Sequence, residues 1–450
     1  MIHHQHHPAD RSARPVRNVY RHRLPAHFRI MFFAAMVILV LAASGYTAGK
    51  DPSMQVQPRV DAPLEEPPLT VQQTPDPTEG GARRIILVIG DGMGAAQLEA
   101  ASRYHTGTEN GLVLQSLPLT ATMETGSASH AITDSAAAGT ALATAVKVRN
   151  GVVGMRFPGD GSELPSVTEE LAAKGWATGL VTTAYTTHAT PASFGAHVES
   201  RMDFGGIADD YLTQTRPDVI LGGGGYGMDP DIVGDAGYTV VRDAASLAST
   251  AREISPGDKI AGLFGEGHIP YLADGRPGEI PDLVEMAETA VDILARDEDG
   301  FFLMIEGARI DHAGHANDIR RLIPEVLELD AVVEMLLSHP ELQEDTLLVV
   351  TADHETGGLA VSRDRGAGRL PEVTWSTTGH TATPVPLYAT GSGADALKAV
   401  VDNTHLRGAL LSALEPSGVG SRLTQGRLTP GPSPAIATPG AKEEREPSLP

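Results

Sequence analysis

The 450-residue chain contains no cysteine. Disulfides are therefore excluded, and so is any metal site built on thiolates. A chain without thiols suits an oxidising compartment. Positive charge is also scarce: 34 lysines and arginines face 57 acids, a formal net charge of −23. So acidic a surface repels phosphate backbones and argues against nucleic acid as a structural partner. A small anionic substrate would need local positive charge, from a placed arginine or from metal ions. Aromatic residues make up only 4% of the chain and are scattered, so no base-stacking platform is evident.

What is present begins with a basic N-terminus. Residues 1–29 carry six arginines and several histidines, and then "IMFFAAMVILVLAA" leads into the small residues of "SGYTAG". Basic region, apolar core and small residues follow the order of a secretory signal. About fourteen apolar residues fall short of the roughly 20 that a bilayer span needs. Export to the periplasm or the exterior is expected, with cleavage near residues 44–50; an uncleaved anchor, the only route to a membrane, is the alternative. The chain then divides into a basic region (1–29), an apolar core and cleavage region (30–48), a Pro-rich linker (49–81), a catalytic domain (82–415) and a disordered Pro-rich tail (416–450).

Within 82–415, short and nearly continuous apolar runs read as strands covered on both faces. They are "RIILVIG" (84–90), "ATGLVTT" (177–183), "PDVILGG" (217–223), "FFLMIEG" (301–307), "DTLLVVTADH" (345–354) and "VPLYATG" (385–391). Helices are expected from near Ser135, over 167–175 with Gly175 as the stop, over 281–296, and over 324–338 with Pro324 at the first helical position. Val326, Leu329, Val333 and Leu336 would share one face of the last. The alternation implies an α/β fold with a mostly parallel central sheet sandwiched between helices.

In open α/β sheets, ligands sit beyond the carboxyl ends of the strands. "RIILVIG" ends at Asp91, within "GDGMG", whose glycines let the chain turn and bare the acid. "ATGLVTT" leads to His188 and Thr190. "FFLMI" delivers Glu306, Asp311 and His315, and "TLLVVTA" delivers Asp353 and His354. His380 stands just before the last strand. Oxygen and imidazole donors without sulfur suit Zn²⁺, Mn²⁺, Co²⁺ or Mg²⁺. Asp311 and His315, four apart, would share a helical face. A lone Asp-His doublet is usually a surface turn; four such clusters at strand ends point to metal. "TDSAAAGTALATAV" places Ser135 at a helix N-terminus, where free amides favour anions. On that segment alone, a helix cap at Ser135 or Asp134 is the favoured reading.

"IGDGMG", "TDSAAAGTA", "TTHATPASFGAHVESR", "EGARIDHAGHAND", "VTADHETGG" and "TGHTATPVPLYATG" occur in that order and together closely resemble the alkaline phosphatase family, over roughly residues 84–392. The resemblance implies hydrolysis of phosphate monoesters through a phosphoserine, with Ser135 as nucleophile and Arg201 gripping the phosphate. It implies two Zn²⁺ and one Mg²⁺. Asp91, Asp353 and His354 match the ligands of one zinc. Asp311, His315 and His380 match those of the other. Asp91, Thr190 and Glu306 match the magnesium ligands. His188 and His312 fall at positions that vary within the family. His188 is expected near the third ion and His312 near the phosphate, and histidine at both leaves that ion's identity open. A homodimer is implied, and the short interval from His354 to His380 leaves room for only a small crown insertion. The rival readings are a phosphodiesterase of the same superfamily and a non-catalytic exported metal- or phosphate-binding protein.

Overall fold

A computed structural model of the chain describes residues 81–415. The basic N-terminal region, the expected signal, the linker up to residue 80 and the tail lie outside the described residues.

Nine strands form one sheet: β1 (Arg84–Gly90), β2 (Leu119–Met123), β3 (Ala177–Tyr185), β4 (Val219–Gly223), β5 (Tyr238–Val241), β6 (Lys259–Leu263), β7 (Phe301–Gly307), β8 (Thr346–Thr351) and β13 (Val385–Gly391). Between β8 and β13 lie four short strands in two antiparallel pairs. β9 (Glu355–Thr356) pairs with β12 (His380–Thr381), and β10 (Leu359–Arg363) with β11 (Glu372–Trp375). The sheet order is β2-β13-β8-β1-β7-β3-β4-β6-β5. The seven strands from β8 to β5 run parallel, and β13 and β2 add an antiparallel edge.

β1, β4, β7 and β8 are buried almost along their whole length, because helices cover both faces. The helices Ala95–Thr106, Leu283–Leu294 and Ile319–Ser338 pack together on one face; Ser135–Thr144, Val167–Ala172, Ala189–Gly195 and Leu406–Ser412 pack on the other. Helix Ile319–Ser338 turns Leu322, Val326, Leu329, Val333 and Leu336 fully inward. Each such side chain contributes about 1.5–3 kcal/mol on leaving water.

That helix starts five residues earlier than its proline suggests. The Asp318 side chain accepts from the amides of Arg320 (3.0 Å) and Arg321 (3.3 Å), and a carboxylate cap is the stronger start signal. Pro324 therefore sits inside the helix and withholds one backbone hydrogen bond. The apolar stripe on both sides of it compensates. β2, β5 and β6 escape a search for long apolar runs for a different reason. β2 and β5 are half-exposed edge strands of five and four residues, and β6 is five residues interrupted by Gly262.

Register brings the functional ends level. Thr182 on β3 lies opposite Glu306 on β7, Glu306 lies opposite Ile89 on β1, and Ile89 lies opposite Thr351 on β8. Asp91 and Asp353 each follow two residues later. Four adjacent strands thus deliver polar side chains to one stretch of the rim.

Candidate metal centre and nucleophile

Asp91 leaves β1 through a tight turn. Gly92 has φ +70°, and a Cβ there would come within 2.9 Å of the Asp311 backbone. Only glycine lets the β1 turn approach helix Arg309–His315 so closely. The Gly92 amide donates to Asp353 Oδ1 at 3.1 Å, and the His354 amide donates to the same oxygen at 2.9 Å. Asp353 is thereby oriented with its other oxygen free. His354 Nε2 lies 3.2 Å from that Oδ2 and 3.5 Å from Asp91 Oδ1. Asp91, Asp353 and His354 are wholly buried, and their ligand atoms lie within 4.8 Å of one another.

Asp311, His315 and His380 form a second such group. His315 Nε2 is 3.3 Å from Asp311 Oδ2, one helical turn away as the sequence spacing requires. His380, carried in on β12, places Nε2 3.5 Å from Asp311 Oδ1 and 3.1 Å from His315 Nε2. Each imidazole is oriented from behind. His315 Nδ1 bonds the Thr378 carbonyl at 2.6 Å, and His380 Nδ1 bonds the Thr133 carbonyl at 2.8 Å. Thr356 donates to Asp311 Oδ1 at 2.5 Å. Such outer partners fix tautomer and aim at metal sites.

A third group joins Asp91 to Glu306 and His188. Glu306 accepts from Thr182, and Thr190 enters from the next helix with its hydroxyl buried. His188 is closer than the sequence implies: its ring offers a donor atom within the same 4.8 Å group, not merely nearby.

These residues fit cations. Asp91 Oδ1 and Oδ2, Asp353 Oδ2, Glu306 Oε1 and Thr190 Oγ1 are buried and have no hydrogen-bond partner among the described residues. Burying bare carboxylates costs several kcal/mol each. Burial, then repulsion from Asp353, Asp311 and Glu306, raises the Asp91 pKa well above the carboxylate range. Burial pushes Asp353 up to about 8 and Glu306 up to about 7. Asp311 is the exception. Burial opposes its charge, but the hydrogen bond from His315 and the charges of the surrounding imidazoles hold its pKa far below the usual range. Divalent ions would reverse this penalty at every one of the orphaned oxygens.

Ser135 opens helix Ser135–Thr144, which is buried at all ten positions. Its small residues permit close packing. A Cβ on Gly139 would meet Ser193 Oγ at 2.8 Å, so the serine helix lies tight against the helix that bears Thr190. The two readings of the segment are resolved by a division of labour. Asp134 is the cap, accepting from the Ala137 amide at 3.0 Å. Ser135 turns its hydroxyl inward to 3.2 Å from His354 Nε2. Asp134 also accepts from Arg201 Nη1 at 3.1 Å, and Arg201 Nη2 lies 3.3 Å from His188 Nε2. The guanidinium is thus steered beside the serine with further N–H groups to spare.

Every residue singled out in the sequence falls in this one region. His312 faces His188 with ring centroids 5.7 Å apart. Three participants were missed. Asp134 appeared only as a cap candidate, although it aims the arginine. Arg309, inside the quoted "EGARIDH", donates to His312. His268 packs 4.4 Å from the His312 ring and 5.7 Å from His188. It lies five residues beyond β6, so recognising that strand would have exposed it by the same rim rule.

A family model described as "Alkaline phosphatase" matches residues 82–369. Alkaline phosphatase 3 of Bacillus subtilis is 30% identical, over 78% of this chain and 92% of its own length. The alkaline phosphatase of Escherichia coli is 31% identical, over 75% and 86%. The crystal structure of a cold-active alkaline phosphatase from Shewanella sp. superposes with a TM-score of 0.66 at 29% identity, covering 74% of this chain and 99% of that one.

Proposed function

The chain belongs to the alkaline phosphatase family, and from that premise we propose how its residues divide the hydrolysis of a phosphate monoester. The protein is a metal-dependent hydrolase of phosphate monoesters. One observation carries the assignment of roles. The Ser135 hydroxyl lies 3.2 Å from His354, which itself contacts Asp91 and Asp353, whose facing oxygens are buried and have no hydrogen-bond partner among the described residues.

Asp91, Asp353 and His354 would hold one Zn²⁺ beside Ser135, and Asp311, His315 and His380 a second. Asp91, Thr190 and Glu306 would hold Mg²⁺, with His188 adding a nitrogen that suits Zn²⁺ or Co²⁺ as well. When bound, these ions supply Lewis acidity, which lowers the pKa of the serine and of water and neutralises the departing oxygen.

Arg201 clamps two nonbridging oxygens through its planar fork, while Asp134 and His188 keep that fork in place. Ser135 Oγ attacks phosphorus in line, the ester P–O bond breaks, and the alcohol leaves. Water then attacks the phosphoserine from the vacated side, inorganic phosphate departs, and Ser135 regains its proton. Two inversions give net retention at phosphorus. Preorganised Asp134, Arg201 and His354 need no rearrangement as charge develops.

The test is metal analysis of the purified protein, with hydrolysis of an aryl phosphate and of the matched diester. Bound zinc, chelator-sensitive turnover and a strong monoester preference are expected. Equal or faster diester cleavage would favour the phosphodiesterase reading. Metal binding without turnover would favour the non-catalytic one. Arg201→Ala should cost about a hundredfold in kcat/KM and weaken inhibition by inorganic phosphate. Unchanged phosphate inhibition would remove the arginine from the binding step.

Export and a homodimer are part of the same proposal. The first is supported by the basic and apolar N-terminus, the second by the family's habit. No helix among the described residues is long and apolar enough to cross a membrane. N-terminal sequencing of exported protein and light scattering would test them.

A further inference from the structure

Arg309 opens helix Arg309–His315 and is used by none of the steps above. Its Nη1 lies 2.9 Å from His312 Nδ1. Its guanidinium carbon lies 3.8 Å from the centroid of the buried Tyr271 ring, a cation–π stack that fixes the arginine's position. The Tyr271 loop is pinned in turn. The Leu272 amide donates to the buried Glu325 at 2.7 Å, and Arg276 is paired through both guanidinium nitrogens with Glu328.

A guanidinium has no acceptor and does not lose its proton in proteins. Across the 2.9 Å contact it can only donate. His312 Nδ1 must therefore present a lone pair, and the ring's single proton must sit on Nε2. The His188 and His268 rings stand across the His312 ring, T-shaped at 5.7 and 4.4 Å. His188 in turn touches Arg201, the phosphate clamp.

We propose that Arg309 is a positioning residue that locks His312 in its Nε2–H tautomer, so that His312 serves as a hydrogen-bond donor to the phosphoryl oxygens held by Arg201. The proposal rests on the phosphomonoesterase reading of the same site. Asp311 beside His312 would hold a metal ion, whereas His312 presents a directional donor, so neighbouring positions of one helix take different tasks.

The experiment uses the zinc-loaded full chain, with ¹⁵N-labelled histidine and inorganic phosphate as the probe. In the wild type, the His312 imidazole should show an unprotonated Nδ1 and a protonated Nε2. Arg309→Met should give a tautomer mixture and raise the inhibition constant of phosphate about tenfold, the scale of one hydrogen bond to a charged group. Arg309→Lys, which still donates, should recover most of both. Arg309→Met in a His312→Ala background should add no further loss in phosphate affinity. An Nδ1-protonated ring in the wild type, an unaltered tautomer in Arg309→Met, or equal losses in both backgrounds would each overturn the proposal. A wild-type chain without phosphatase activity would defeat the functional reading instead, and the tautomer measurement would still decide the role of Arg309.

Discussion

Ser135→Ala is expected to abolish turnover, lowering kcat by at least about a thousandfold, while metal content and melting temperature stay at wild-type values. The structure makes this substitution unusually clean. The helix N-terminus is capped by Asp134, so removing the serine hydroxyl frees no backbone amide. The Ser135 hydroxyl is hydrogen-bonded to His354, and the carboxylates around that histidine remain. What disappears is the oxygen that bonds phosphorus. Acid-quenched incubation with labelled phosphate ester should trap label on the wild type and none on the variant. Full turnover by Ser135→Ala would eliminate the covalent step.

Asp91→Asn is the second large effect, and it acts in opposite directions on the two forms of the protein. Asp91 belongs to two of the three ligand groups, so losing its charge should deplete both ions and reduce activity by at least about a thousandfold. In the wild type, saturating zinc at a thousandfold excess over its dissociation constant should stabilise the fold by about 4 kcal/mol, and much of that should vanish in the variant. Without metal, the sign reverses. The folded-state pKa of Asp91 is raised by burial and by its acidic neighbours, so the folded chain binds that proton more tightly than the unfolded one. Stability therefore falls as pH climbs from the ordinary carboxylate range towards the raised value. Asparagine carries no such charge. Chelated Asp91→Asn should melt higher than the chelated wild type at pH 8, and the difference should shrink at pH 5. Calorimetry at both pH values, with zinc or chelator, checks all four corners. A metal-loaded variant as stable and as active as the wild type would refute the shared-ligand role.

The central strands, and the acids and histidines that follow them, were legible in the sequence for one reason, whereas Arg201 and His312 were reached only through the family resemblance. β1, β7 and β8 are covered on both faces, so they spell unbroken apolar runs, and the polar residues that end them stand out. β2 and β5 lie at the sheet edges, where half-exposed residues dilute that signal. Helix Ile319–Ser338 shows a competition between two start signals, which Asp318 wins over Pro324. Arg309 and Asp134 were visible as letters, but their roles were not. Each acts by touching a residue that comes close only through folding, Arg309 by way of Tyr271 and Asp134 by way of Arg201. His268 needed β6 to be recognised first.

The Thr133 carbonyl that orients His380 couples the segment just before the serine helix to the latest part of the centre. His380 reaches its place by pairing β12 with β9, just ahead of the strand that β8 and β2 enclose. A growing chain therefore has neither its last imidazole nor the hold that carbonyl provides until residue 380 has been synthesised and β12 has docked. Truncated products ending earlier would lack one of the three side chains of the second group, so hydrolytic competence is expected only after that late docking.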